Sequence, residues 1–191
     1  MEQIKEMTAS ESISLIAQAM NNSRRDILRN NSKYFVLWGC LLTVFSLAIY
    51  FLWHCTGSPA WNFLWFVMPI IGFTSAALMG RYGKTVPTSE IARILRYVWL
   101  VFGVFSICIS LIASLVVPMN ITLLIIVILG IAESVSGVIL KNWPIIIAGF
   151  ILGVGGAVAA SVFKTEAQIL LFTLAGVLLA VTGLIVRCQN K

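Results

Sequence analysis

Glu133 is the acidic side chain that stands inside an apolar run of this sequence, and an ionisable group at such depth marks a candidate site. Helical spacing puts Gly130 and Gly137 on its face, with Ser136 close by and Ser134 toward the neighbouring face. An acid near the middle of a spanning helix costs roughly 3 kcal/mol on insertion scales. The run from Leu123 to Leu140 offsets this with about a dozen Leu, Ile and Val residues, on the order of 5 kcal/mol in favour of insertion. By helix rise Glu133 lies about 12 Å from Lys141, too deep for a short carboxylate to reach water by snorkelling. The neutral carboxylic acid, donating a hydrogen bond, is therefore its expected resting form. Two readings stay open. Glu133 is the titrating group of a proton or cation site with Ser134 and Ser136 as coordinating neighbours, or it makes an interhelical hydrogen bond that fixes packing, worth about 1 kcal/mol.

Other reactive residue types form no constellation. His54 and Cys55 are adjacent, but two neighbouring residues do not make a metal site without further ligands, and His54 is the single histidine, which rules out paired-histidine zinc motifs. The four cysteines are spread over two apolar runs, a short loop and the tail, so no disulfide framework is expected. The sequence carries no phosphate loop, nucleophile elbow or aspartate cluster. The expectation is a protein that is not an enzyme and needs neither cofactor nor metal.

The elements that must hold Glu133 follow from composition. The chain is 60% hydrophobic, only 10% charged, and has a mean hydropathy of +0.99. Soluble domains approach a quarter charged residues, so this composition excludes one. A net charge of +6 would suggest nucleic acid in a soluble protein; here the bases flank apolar runs and read as topology signals, so no nucleic-acid partner is expected. Six apolar runs, Tyr34–Trp53, Ala60–Gly80, Tyr97–Val117, Ile121–Leu140, Pro144–Phe163 and Ala167–Val186, each approach the twenty or so residues that a bilayer core requires. Pro118 and Asn120 break the third run from the fourth, with Asn120 placed as a helix cap, and Pro144 suits the first turn of the fifth. A cytoplasmic N-terminus puts every Lys and Arg except Lys164 on the inner side, and both termini are then cytoplasmic. No cleavable signal is visible ahead of the first run.

Residues 1–33 form a separate expected unit. Thr8 and Glu11 make a capping box, and Ile13, Ile16, Met20 and Ile27 recur at helical spacing, which predicts an amphipathic helix. It is expected to lie on the membrane surface, pack under the bundle or pair with a cytoplasmic protein. Its basic end, Arg24, Arg25, Arg29 and Lys33, suits an anionic leaflet or simply fixes orientation. Residues 34–186 are the transmembrane domain and 187–191 a cytoplasmic tail. In the loop between the second and third runs, Pro87, Thr88, Ser89 and Glu90 predict a turn and cap that start a cytoplasmic extension of the third helix.

Small residues at four-residue spacing let helix backbones approach closely in lipid. Gly149, Gly153, Ala157 and Ser161 form the clearest ladder, Gly72, Ala76 and Gly80 a second, Ser106, Ser110 and Ser114 a third, and Gly176 with Ala180 a fourth. Packing within the chain and a homodimer through the fifth helix are both compatible with the first. A short likeness between Pro69–Phe73 and Pro144–Phe150 suggests that runs one to three correspond to four to six as an inverted repeat.

Glu11-Ser12 through Ser23-Arg24-Arg25-Asp26, then Asn30-Asn31 and Leu37-Trp38-Gly39, with Arg96-Tyr97-Val98-Trp99 and Ser136 to Lys141 further on, resemble a family of small, uncharacterised bacterial membrane proteins. That resemblance implies a six-span fold and a gene neighbourhood of winged-helix regulators. It carries no functional residues. The expectation is thus an all-α, six-helix bundle in the bacterial inner membrane. It is either a sensor or accessory component acting through its cytoplasmic face, or a small proton-coupled secondary transporter with Glu133 as the titrating group.

Overall fold

The computed structural model describes residues 9–81 and 90–189, and every regular element among them is helical. Helix α1 runs from Ala9 to Thr56, and after a 3-10 turn at Pro59–Phe63, α2 spans Leu64–Arg81. Helices α3 (Glu90–Leu115), α4 (Ile121–Leu140), α5 (Trp143–Val162) and α6 (Thr165–Gln189) follow. All six are long and apolar enough to cross a membrane. Within α5 the residues Ile151–Gly155 form a π turn.

No break in the helix marks residues 33 and 34, where the N-terminal segment and the transmembrane domain are expected to meet. No Gly or Pro occurs between Ala9 and Gly39, so nothing in the chain stops helix growth where the composition changes from polar to apolar, and α1 continues for 48 residues. At about 1.5 Å per residue that is roughly 72 Å. Its first half divides further. Ile13 and Ile16 are exposed at 68% and 61%, whereas Ile27 and Leu28 are buried against Ile91 and Leu95 of α3, Leu140 of α4, Ile145 of α5 and Val186 of α6. Thr8, Pro87, Thr88 and Ser89, on which two expected caps rest, lie outside the described residues, although α3 does begin at Glu90, ahead of its apolar run.

The other breaks have local causes. Asn120 Oδ1 accepts a hydrogen bond from the Leu123 amide at 3.0 Å and starts α4 just after Pro118. Between α4 and α5, Asn142 Oδ1 accepts from the Ile145 amide at 3.3 Å, with Pro144 in the first turn. Lys141 takes a left-handed conformation, φ 53°, and its amide and that of Asn142 return to carbonyls of the last turn of α4. At the other end of α5, Gln168 Nε2 donates to the carbonyls of Ala160 and Phe163, and Asn120 Nδ2 also donates to Ala160.

Two pairs of helices approach most closely. In α1 and α6, a Cβ placed on Gly39 would stand 2.5 Å from the Ala180 nitrogen and the Gly176 oxygen. Likewise, one on Gly176 would meet Thr43 and the Gly39 carbonyl, and one on Gly183 would meet Phe35, Ser32 and Val36. Ser46 and Thr173 share a hydrogen bond of 2.7 Å across this seam. In α4 and α5, Gly130 lies against Gly149 and Gly153, Gly137 against Ile145 and Ile146, and Gly149 against Ser134. Where hydrophobicity gives no drive for helices to associate, such backbone contact supplies dispersion that side chains would prevent.

The inverted correspondence of helices one to three with four to six is not found at the residues that suggested it. Pro69 sits inside α2, while Pro144 opens α5, so the two prolines occupy unlike places. The serine ladder of α3 turns inward on its own helix: Ser106, Ser110 and Ser114 each donate to the carbonyl four residues back.

Candidate site at Glu133

Glu133 is fully buried, at 0% exposure, and neither carboxylate oxygen has a hydrogen-bond partner among the described residues. It shares the buried stripe of α4 with Ile126, Leu129, Gly130, Ser136, Gly137 and Leu140. Toward the start of the helix, Ile126 and Leu129 belong to a core cluster with Leu42 of α1, Leu152 of α5 and Phe172 and Ala175 of α6. Toward its end, Leu140 belongs to the second cluster, with Ile27, Ile91, Leu95, Ile145 and Val186. Glu133 and Ser136 lie between the two, in the middle of the bundle.

A helix advances about 100° per residue, so Glu133 points about 60° away from Gly130 and the seam with α5. No water-sized path reaches the carboxyl in this closed packing, since its exposure is zero. The serines expected to assist it are engaged elsewhere. Ser136 Oγ donates to the Ala132 carbonyl at 2.7 Å, as helical serines do when their hydroxyl folds back on the preceding turn. Ser134 Oγ reaches the Ile146 carbonyl of α5 at 3.5 Å. Neither serine hydrogen-bonds to Glu133, and an interhelical hydrogen bond from Glu133 is not made either.

No family model matches the chain, and no curated protein or solved structure matches it either.

Gly149 and Gly153 face α4, so the first step of their ladder is filled within the chain and is not open to a second copy; Ala157 is half-buried and Ser161 exposed. Gly72 makes room for the Trp38 ring, and Ala76 is half-buried beyond it. Of the basic residues, Arg25 is exposed, Lys33 Nζ lies 5.2 Å from the Tyr34 ring centre, and the side chain of Arg29 lies outside the described residues. Arg24 does something the sequence did not announce. Its Nε donates to the Ile139 carbonyl at 3.2 Å, in the last turn of α4, where the helix dipole favours a cation. A contact between residues so far apart in the chain leaves no local signal. His54 stacks on Tyr50, and no group of metal-ligating residues occurs among the described residues.

Proposed function

We propose that this chain is a non-enzymatic, multi-pass protein of the bacterial inner membrane, with both ends cytoplasmic, that acts as a sensor or accessory component through its cytoplasmic face. The observation that carries the reading is the unbroken α1. One half of this helix is seated along α6 by the Gly39, Gly176 and Gly183 contacts, and the other half presents Ile13, Leu15, Ile16 and Met20 uncovered. A helix continuous with a membrane span projects from the membrane instead of lying along it, so the lipid bilayer is the partner of the bundle and a protein is the partner of the arm. Arg24 and Ile27 fasten the base of the arm to α4, the helix that carries Glu133. The test is purification from native membranes of the full chain and of a chain lacking residues 1–23. A protein retained by the first and lost from the second supports the reading; identical partners, or identical physiology of cells carrying either chain, overturns it.

The unpartnered Glu133 carboxyl favours a second reading, proton-coupled transport with Glu133 as the titrating group. In proteoliposomes, proton movement driven by a pH step and abolished in Glu133→Gln supports transport. Movement that persists in the variant removes the coupling role.

A further inference from the structure

The α4–α5 hairpin and the α6–α1 pair are built on one plan. Gly176 and Gly183 of α6 repeat the interval of Gly130 and Gly137 of α4, and at the same offset Ile126, Leu129, Glu133, Ser136 and Leu140 correspond to Phe172, Ala175, Leu179, Thr182 and Val186. Every one of these positions is buried in both helices. The partner helices agree as well. Gly130 meets Gly149 and Gly153 of α5 as Gly176 meets Gly39 and Thr43 of α1, and Gly137 meets Ile145 and Ile146 as Gly183 meets Phe35 and Val36. One supersecondary unit therefore occurs twice in the bundle.

The two copies differ in kind at one buried position, where α4 has Glu133 and α6 has Leu179, 4% exposed. The sister pair closes with the same backbone approaches around a leucine, so the seam does not require a carboxyl. An unpartnered polar group in such surroundings carries a desolvation cost with no packing return. A second difference lies on the facing helix. The π turn Ile151–Gly155 contains Gly153, which touches Gly130 one turn from Glu133, whereas the corresponding residues 41–45 of α1 are α-helical. Such turns occur frequently at functional sites.

We infer that Glu133 is a proton-binding site laid over a duplicated packing seam that does not need it. The inference deepens the second reading above and rests on its carboxyl. A proton is the ligand of choice because a hard metal ion wants about six oxygen ligands, and no group of three or more metal-ligating side chains occurs among the described residues. Helices α3, α5 and α6 pack against α4. Of these, α5 has no titratable side chain; Glu90, Arg93, Arg96, Tyr97 and Cys108 of α3 and Glu166, Arg187 and Cys188 of α6 are all exposed. From α1, Arg24 approaches α4 at Ile139, about 9 Å further along the helix by rise. The ionised carboxylate of Glu133 would therefore have no described counter-ion in contact with it, and a proton reaches the site only when neighbouring helices part.

The experiment uses the full chain in liposomes. A hydrophobic carbodiimide, which reacts with protonated carboxyls, is applied from acid to alkaline pH, with Glu133→Gln as control. In parallel, the melting of Glu133→Leu, which installs the sister residue, is compared with that of the unaltered chain. The expected result is labelling of Glu133 that falls about tenfold per pH unit above its midpoint, together with a leucine variant that melts at or above the original. A folded chain unlabelled at every pH overturns the inference, as does a leucine variant that melts several degrees lower while Glu133→Gln does not. Because labelling uses the unaltered chain, it decides even if the variant fails to fold. Labelling that titrates without any pH-driven flux keeps the proton site and removes the transport reading.

Discussion

Replacing Gly130 by alanine tests the α4–α5 seam most directly. A Cβ at this position would stand 2.5 Å from the Gly153 nitrogen and 2.7 Å from the Gly149 oxygen. Carbon packs against other heavy atoms at about 3.5–4.0 Å, so the helices must part by roughly 1 Å, and the obstacles are backbone atoms that cannot swing aside. Overpacking of this kind costs about 1–3 kcal/mol, and the backbone obstacles place it at the upper end, against which alanine returns about 1 kcal/mol of helix propensity. The net loss is about 2 kcal/mol. For a chain of this length each kcal/mol moves the melting point by about 2–4 °C, so Gly130→Ala should melt about 4–8 °C lower, read by tryptophan fluorescence in detergent. Gly103→Ala is the matched control: a Cβ there meets nothing within 4 Å, and the propensity gain should raise melting by about 2–4 °C. Gly176→Ala, on the α6–α1 seam, should fall like Gly130→Ala. Equal shifts for Gly130→Ala and Gly103→Ala would refute the close approach.

Two further perturbations address the ends of α5. Lys141→Gly relieves a left-handed conformation at a non-glycine residue and should stabilise by about 1 kcal/mol in the same assay; a lower melting point would mean that the lysine side chain holds the turn. Gln168→Leu removes bonds of 2.8 and 2.9 Å to the Ala160 and Phe163 carbonyls. Since Asn120 still serves Ala160, one carbonyl is left unsatisfied, and the loss should be about 1–3 kcal/mol. Unchanged melting would show that water takes the place of the amide.

Much of the architecture was legible because a bilayer-sized apolar run, a proline and a capping asparagine each act locally. Asn120 and Pro144 sit where their chemistry required. The depth of Glu133 in its run was legible for the same reason. Its isolation was not, because that depends on where two serines in the same helix turn their hydroxyls. The continuity of α1 was open to inference from the absence of Gly and Pro before Gly39, but the change from polar to apolar residues suggested an end that nothing enforces. Lys141 in a left-handed conformation runs against residue preference, and Arg24 finds its acceptor only through the tertiary fold. The duplicated seam left a faint trace, two glycines seven apart in both α4 and α6; small residues are too common in apolar helices for that trace to stand without the contacts.

The α6–α1 pair lacks the tight turn at Lys141 and Asn142 that joins its sister, since the chain leaves α6 and does not re-enter α1. Helix α1 instead passes the end of α6 at Ile27 and Leu28, beside Val186, and runs on as the arm. Topologically the bundle is a nearly closed circuit, interrupted where that turn would stand. A chain rearranged to join the end of α6 to α1 through a short linker, and opened between residues 82 and 89, would enter its helices in a new order while keeping both seams. In that sense the arm occupies the place of a hairpin turn: where one copy of the unit spends two residues closing on itself, the other directs its helix outward.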